Sequence, residues 1–200
     1  MSSNAVPAID SSPEALNAWF DQRFAEKMQQ REDEHTPAMT IIATKGTMDM
    51  AYPPFILAST AAALGWEVSV FFTFYGLSLL KKDLDLKVTP IGNPAMPMKM
   101  PNGMLKGKEL SIPTSVMSLM PGFQNMATNM MLQTIDNKGV ARIDELRELC
   151  IEAEVKLVAC QMTVDLFDYG KDEFIPEIEE WVGAASFLPR ALDADVNLFI

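Results

Sequence analysis

From Ala38 onward, short runs of consecutive apolar residues alternate with longer stretches of helical spacing. "MTIIATKG" is rich in β-branched residues and closes on Gly46, which predicts a buried first strand. "MDMAYPPFILASTAAALG" then predicts a helix of small residues that stops at Gly65, a helix-terminating glycine. "EVSVFFTFYG" predicts a second strand, "LSLLKKDL" a helix after it, and "LKVTPIG" a short third strand. "RIDELRELCIEAE" reads as a surface helix. The closing strands are "VKLVACQ" and "DVNLFI", with a helix around Pro176 to Leu192 between them. Strands alternating with helices call for parallel βαβ units, and strands that are apolar throughout are covered on both faces. The expected fold is therefore α/β: a parallel sheet of about five strands with helices on both faces, flavodoxin-like in plan.

Two segments fall outside this rhythm. Upstream, Ser12 is a helix N-cap with Pro13 in the first helical position, and Leu16, Phe20, Phe24 and Met28 recur every four residues with Trp19 beside them. "REDEHTP" breaks that stripe and reads as a linker, dividing a tail and helix (1–37) from the main domain (38–200). Within the domain, Asn93 to Gly107 is rich in Pro, Met and Gly, which predicts a long loop or lid. A methionine-rich helical tract continues it to Leu132.

Charge narrows the partners. Sixteen Lys and Arg against 27 Asp and Glu give a net charge of −11, which repels phosphate backbones and excludes nucleic acid. The first residues carry neither a basic start nor an apolar core, so no secretory leader is expected. Two cysteines make no disulfide framework, and the expected compartment is the cytoplasm. Met50 to Trp66 and Leu110 to Ile135 carry no charge. Their prolines, and Gln124, Asn125, Asn129 and Gln133 in the second, argue against a membrane span.

Ligands of open parallel sheets bind beyond the carboxyl ends of the strands, which singles out a few residues. Cys160 closes the apolar run "KLVAC" where a helix begins; it is either a nucleophile presented near free helix amides or one of the buried cysteines common in cores. Cys150 shares a helix face with Leu146 and Leu149, so packing is its first role and a secondary thiol its second. Thr44, Lys45 and Gly46 form a turn at a helix start and are an anion-binding candidate, against the alternative of a plain turn with a solvated lysine. His35 is the only histidine and falls in the linker, which rules out His-dependent triads. There is no CxxC pair, no metal-ligand spacing and no phosphate-cradling glycine motif, so neither a metal site nor a phosphate cradle is expected from the residues.

Taken together, "KGTMDMAYPPFILASTAAALGWEVSVFFTFYGLSLL", "NPAMPMKMP" and "ACQMTVDLFDY" resemble the DsrE/DsrF-like sulfurtransferase family. The closer likeness is to its larger DsrE-type branch, often labelled peroxiredoxin family protein, and it runs from Ala38 to Ile200. That resemblance implies a parallel α/β fold, homo-oligomers and no cofactor. It also implies sulfane sulfur carried on the cysteine of "ACQM", which is Cys160 here, and passed to a TusA-like or rhodanese-like carrier protein in sulfur oxidation. The alternative from another class is a non-catalytic oligomeric binding module whose cysteines are structural. A thiol peroxidase, suggested by the branch label, would need Pro and Thr shortly before the cysteine, where this chain has "EAEVKLVA".

Overall fold

The computed structural model of the protein describes residues 12–89 and 121–200, so most of the expected Met- and Pro-rich insertion lies outside the described residues. The chain divides at Thr36 and Pro37 into two compact units. The first contains α1 (Pro13–Glu34), capped by Ser12, whose side chain accepts from the Ala15 amide at 3.3 Å. The polar run expected as a linker is helical as far as Glu34. Pairs four apart, Gln29 with Asp33 (2.9 Å) and Gln30 with Glu34 (2.7 Å), extend the helix through it.

The second unit is built on a five-stranded sheet in the order β4-β3-β2-β1-β5. Its strands are β1 (Ala38–Ala43), β2 (Glu67–Phe72), β3 (Lys156–Cys160), β4 (Glu180–Val182) and β5 (Val196–Phe199), and every pairing is parallel. Helix α2 (Met48–Ala63) joins β1 to β2. Helices α3 (Phe123–Lys138) and α4 (Ile143–Glu152) precede β3, the short α5 (Gln161–Leu166) follows it, and α6 (Ala184–Asp193) joins β4 to β5.

The chain steps outward from β1 to β4 and then returns to the far side of β1. With connections of one hand, that reversal sends α6 to the opposite face from α2 and α4. Two adjacent phenylalanines show the division. Phe72 meets Phe55 of α2, ring centroids 5.8 Å apart, while Phe71 stacks on Phe187 of α6 at 4.8 Å. The larger core, with Ile41, Val70, Phe72 and Leu157, is on the α2 face. A smaller cluster of Phe71, Val158, Cys160 and Phe187 is on the α6 face.

Three elements differ from the sequence expectation. "LKVTPIG" supplies no strand over Leu86–Thr89. Both edges of β1 are already taken, by β2 and β5, and the backbone of this segment is satisfied otherwise. Val88 donates to Thr128 Oγ1 (3.2 Å) and accepts from Gln124 Nε2 (3.1 Å), and Lys87 O accepts the Met48 amide (2.9 Å). The fifth strand is instead β4, inside the segment expected to be helical. After β2 the chain forms a 3₁₀ helix (Phe74–Leu80) rather than the predicted α-helix.

The turns after β1 and β2 abut so closely that glycine is required. A Cβ on Gly76 would lie 2.2 Å from Ala43 O and 2.7 Å from Ala43 C. Gly76→Ala is expected to cost about 1–3 kcal/mol in urea denaturation, as overpacking against backbone does. A loss no larger than that of Gly183→Ala, where an added Cβ meets nothing within 4 Å and φ is −88°, would refute the close approach.

Candidate functional site

β3 carries Val158 and Cys160 toward α6 and Leu157 and Ala159 toward α2, the period of two that a strand imposes. Cys160 is the last residue of the strand and the N-cap of α5, with φ −76° and ψ 107°. Its side chain makes no capping hydrogen bond to the helix. The thiol is turned instead into the cluster with Phe71, Val158 and Phe187 and is 2% exposed. The strand-to-helix junction expected from the sequence is present, but the open thiol facing helix amides is not. The α6 side chains close over it.

Cys150 lies on the other side of the sheet. It is fully buried on α4 in the larger core, with Sγ donating to Phe55 O at 3.5 Å. Burial pushes its pKa up to about 12, so the thiol stays protonated and non-nucleophilic at neutral pH. The sheet separates the two sulfurs, which leaves no route for one to resolve an adduct on the other.

Thr44, Lys45 and Gly46 remain together in the turn after β1, and each has a different fate. Thr44 is tied to the last residue of the chain: its amide and its hydroxyl both donate to Ile200 O, at 2.8 and 2.9 Å. Lys45 is exposed and has no carboxylate partner among the described residues. Gly46 presses on the next turn, where an added Cβ would meet Tyr75 O at 2.2 Å. Of the helix amides expected to assist in anion binding, that of Met48 is occupied, since it donates to Lys87 O.

Lys45 and Gly46 line a cavity of about 300 Å³ beyond the carboxyl ends of β1 and β2, whose other walls include Tyr75, Phe167 and Tyr169. Cys160 is not among its lining residues. The structure thus brings Lys45 and Gly46 into one concavity and leaves the thiol outside it.

Thr163 was not singled out by sequence, since a lone threonine in a helix carries no motif. It is fully buried in the first turn of α5 and accepts from the Phe74 amide (3.1 Å), with its hydroxyl 3.3 Å from that of Thr73. Phe74 has a φ of +49°, a costly region for a bulky residue, so this bond helps hold a strained turn. Thr163 therefore joins the junction bearing Cys160 to the turn that walls the cavity.

Residues 35–199 match the DsrE/DsrF/DrsH-like family, and the chain belongs to it. Among curated proteins it is 60% identical over 162 residues to the sulfur carrier protein DsrE2 of Allochromatium vinosum, covering 81% of this chain and 97% of that relative. It is also 32% identical over 167 residues to YrkE, an uncharacterized protein of Bacillus subtilis, covering 84% of this chain and 99% of that relative. The family match leaves α1 outside it.

The Cys150 environment has a pH signature. An unfolded cysteine releases its proton near pH 9.0 and the folded one only near about 12, so the folded state binds more protons in that window and stability falls as pH rises through it. The stability advantage of wild type over Cys150→Ala in urea denaturation is expected to shrink between neutral pH and about pH 10. An advantage that does not change with pH would contradict a thiol held neutral.

Proposed function

We propose that this protein carries sulfane sulfur on Cys160. The observation behind the reading is the place of this thiol: the last residue of a parallel strand, in a chain 60% identical to a protein named as a sulfur carrier. The alternative thiol is disfavoured by its own surroundings, since Cys150 is sealed in the core with its proton held to about pH 12.

The chemistry is an exchange at sulfur. The Cys160 thiolate attacks the outer sulfur of a persulfide R–S–S⁻; the donor S–S bond breaks, R–S⁻ leaves, and Cys160–S–S⁻ remains. With thiosulfate the leaving group is sulfite. Charge is conserved and no external oxidant or reductant enters. A thiolate on a TusA-like or rhodanese-like carrier removes the outer sulfur by the same attack in a second step. Cofactors play no part in this scheme. A reducing cytoplasm suits it, because both cysteines are free thiols.

Two features bear on partners. Leu188 and Leu192 of α6 and Phe199 of β5 are exposed apolar side chains, which supports a homo-oligomer or a docked carrier on that side. No helix among the described residues is long and apolar enough to cross a membrane. Since Cys160 is closed over by Phe187, loading requires α6 or α5 to open locally, and the closed state protects a bound persulfide from water.

Burial of Cys160 also favours a second reading, a non-catalytic oligomeric module with structural cysteines. Intact-mass measurement after exposure to thiosulfate, tetrathionate or a persulfidated carrier separates the two. Sulfur transfer predicts a gain of one sulfur atom, or of thiosulfate, on wild type and Cys150→Ala and no gain on Cys160→Ser. A gain that survives Cys160→Ser, or no gain on any form, overturns the proposal.

A further inference from the structure

We propose that the cavity beyond β1 and β2 is a binding site for a small organic monoanion with a flat apolar body, independent of the sulfur-carrying thiol. The first argument is sign. In a chain of net charge −11, the described residues that line this cavity include one cation, Lys45, and no carboxylate. Lys45 also has no ion-pair partner among the described residues, so its ammonium is free to meet an anion at the rim.

The second argument is shape. Tyr75, Phe167 and Tyr169 form a continuous aromatic wall, with ring centroids 6.3 Å apart for Tyr75 and Phe167 and 5.7 Å for Phe167 and Tyr169. Aromatic walls reward a planar apolar body through stacking and edge contacts. Exposure sharpens the point, because Tyr75 is 68% exposed with its ring standing at the cavity rather than in the core. An ammonium beside such a wall selects an anionic group joined directly to a flat skeleton.

The third argument is preorganisation. The floor is fixed by Gly46, where a Cβ would fall 2.2 Å from Tyr75 O and 2.3 Å from Ser78 Oγ. Ser78 Oγ in turn donates to Tyr75 O at 2.8 Å. Phe74, which also lines the cavity, is held by the hydrogen bond that its backbone amide donates to Thr163 Oγ1. Tyr169 is held by the Lys81 ammonium, 4.0 Å from its ring centroid. Walls that do not move on binding lower the ordering cost for a ligand.

Size limits the class. About 300 Å³ is at the small end for ligand pockets, enough for one ring with its acidic group and too little for a nucleotide. A monocyclic aromatic carboxylate or sulfonate has the required sign, flatness and volume.

Benzoate titration of ¹⁵N-labelled full-length protein tests this, with benzamide as the neutral isostere and acetate as the anion without a flat body. Benzoate is expected to give saturable shifts at the amides of Lys45, Gly46, Tyr75 and Phe167. Benzamide and acetate should each bind about fivefold weaker or less. Lys45→Glu should abolish saturation and Phe167→Ala should weaken it about tenfold, with the remaining spectrum unchanged as proof of folding. Cys160→Ser should leave the benzoate affinity as it is, so failure of the sulfur reading does not touch this result. Shifts that do not saturate, that centre on Trp19 and Phe20 of α1, that benzamide reproduces equally, or that persist in Lys45→Glu would overturn the proposal.

Discussion

A β-strand sends successive side chains to opposite faces, and on β3 this constraint decides which core each side chain enters. Leu157 and Ala159 go to the α2 side and Val158 and Cys160 to the α6 side. Cys150, arriving from α4, is sealed on the α2 side. The two sulfurs are thus on opposite sides of a five-stranded sheet, one in a large core that raises its pKa and one under a single helix at a strand end. A shift of one residue in the phase of β3 would exchange the faces and bury Cys160 in the larger core.

The second constraint is the close contact of strand-end turns. Gly76 lies against Ala43 O and Gly46 against Tyr75 O, so the loops after β1 and β2 interlock. Thr163 extends that contact to the junction after β3 by accepting the Phe74 amide. The carboxyl edge of the sheet is therefore one connected surface with two features: a covered thiol facing α6 and an aromatic cavity beside Lys45. In this closed arrangement a ligand in the cavity does not touch the sulfur.

Much of the fold was legible because β1, β2 and β3 are apolar at nearly every position, which only a sheet covered on both faces demands. β4 was not, since its three residues include Glu180 and all are only partly buried at the sheet edge. "LKVTPIG" has the β-branched composition of a strand, yet both sides of β1 are taken by β2 and β5, so Leu86–Thr89 has no place beside it, and that is a fact of topology rather than of local sequence. "REDE" looked like a break because it lacks apolar residues, while side-chain pairs four apart kept it helical. At the site, the strand-end place of Cys160 was legible and the direction of its thiol was not, because direction depends on where α6 packs. The aromatic cavity joins Tyr75 to Phe167 and Tyr169 from distant parts of the chain, and no local pattern announces it.

The account stands on Cys160 being the thiol that can be reached from the native state. The most direct measurement is a time course of alkylation by N-ethylmaleimide in native buffer, read by peptide mapping at each cysteine. Cys160 should become labelled as α5 and α6 open locally, more slowly than a free thiol, while Cys150 stays unlabelled until the protein is unfolded. Labelling of Cys150 at the same rate or earlier, or protection of both cysteines until global unfolding, would contradict it.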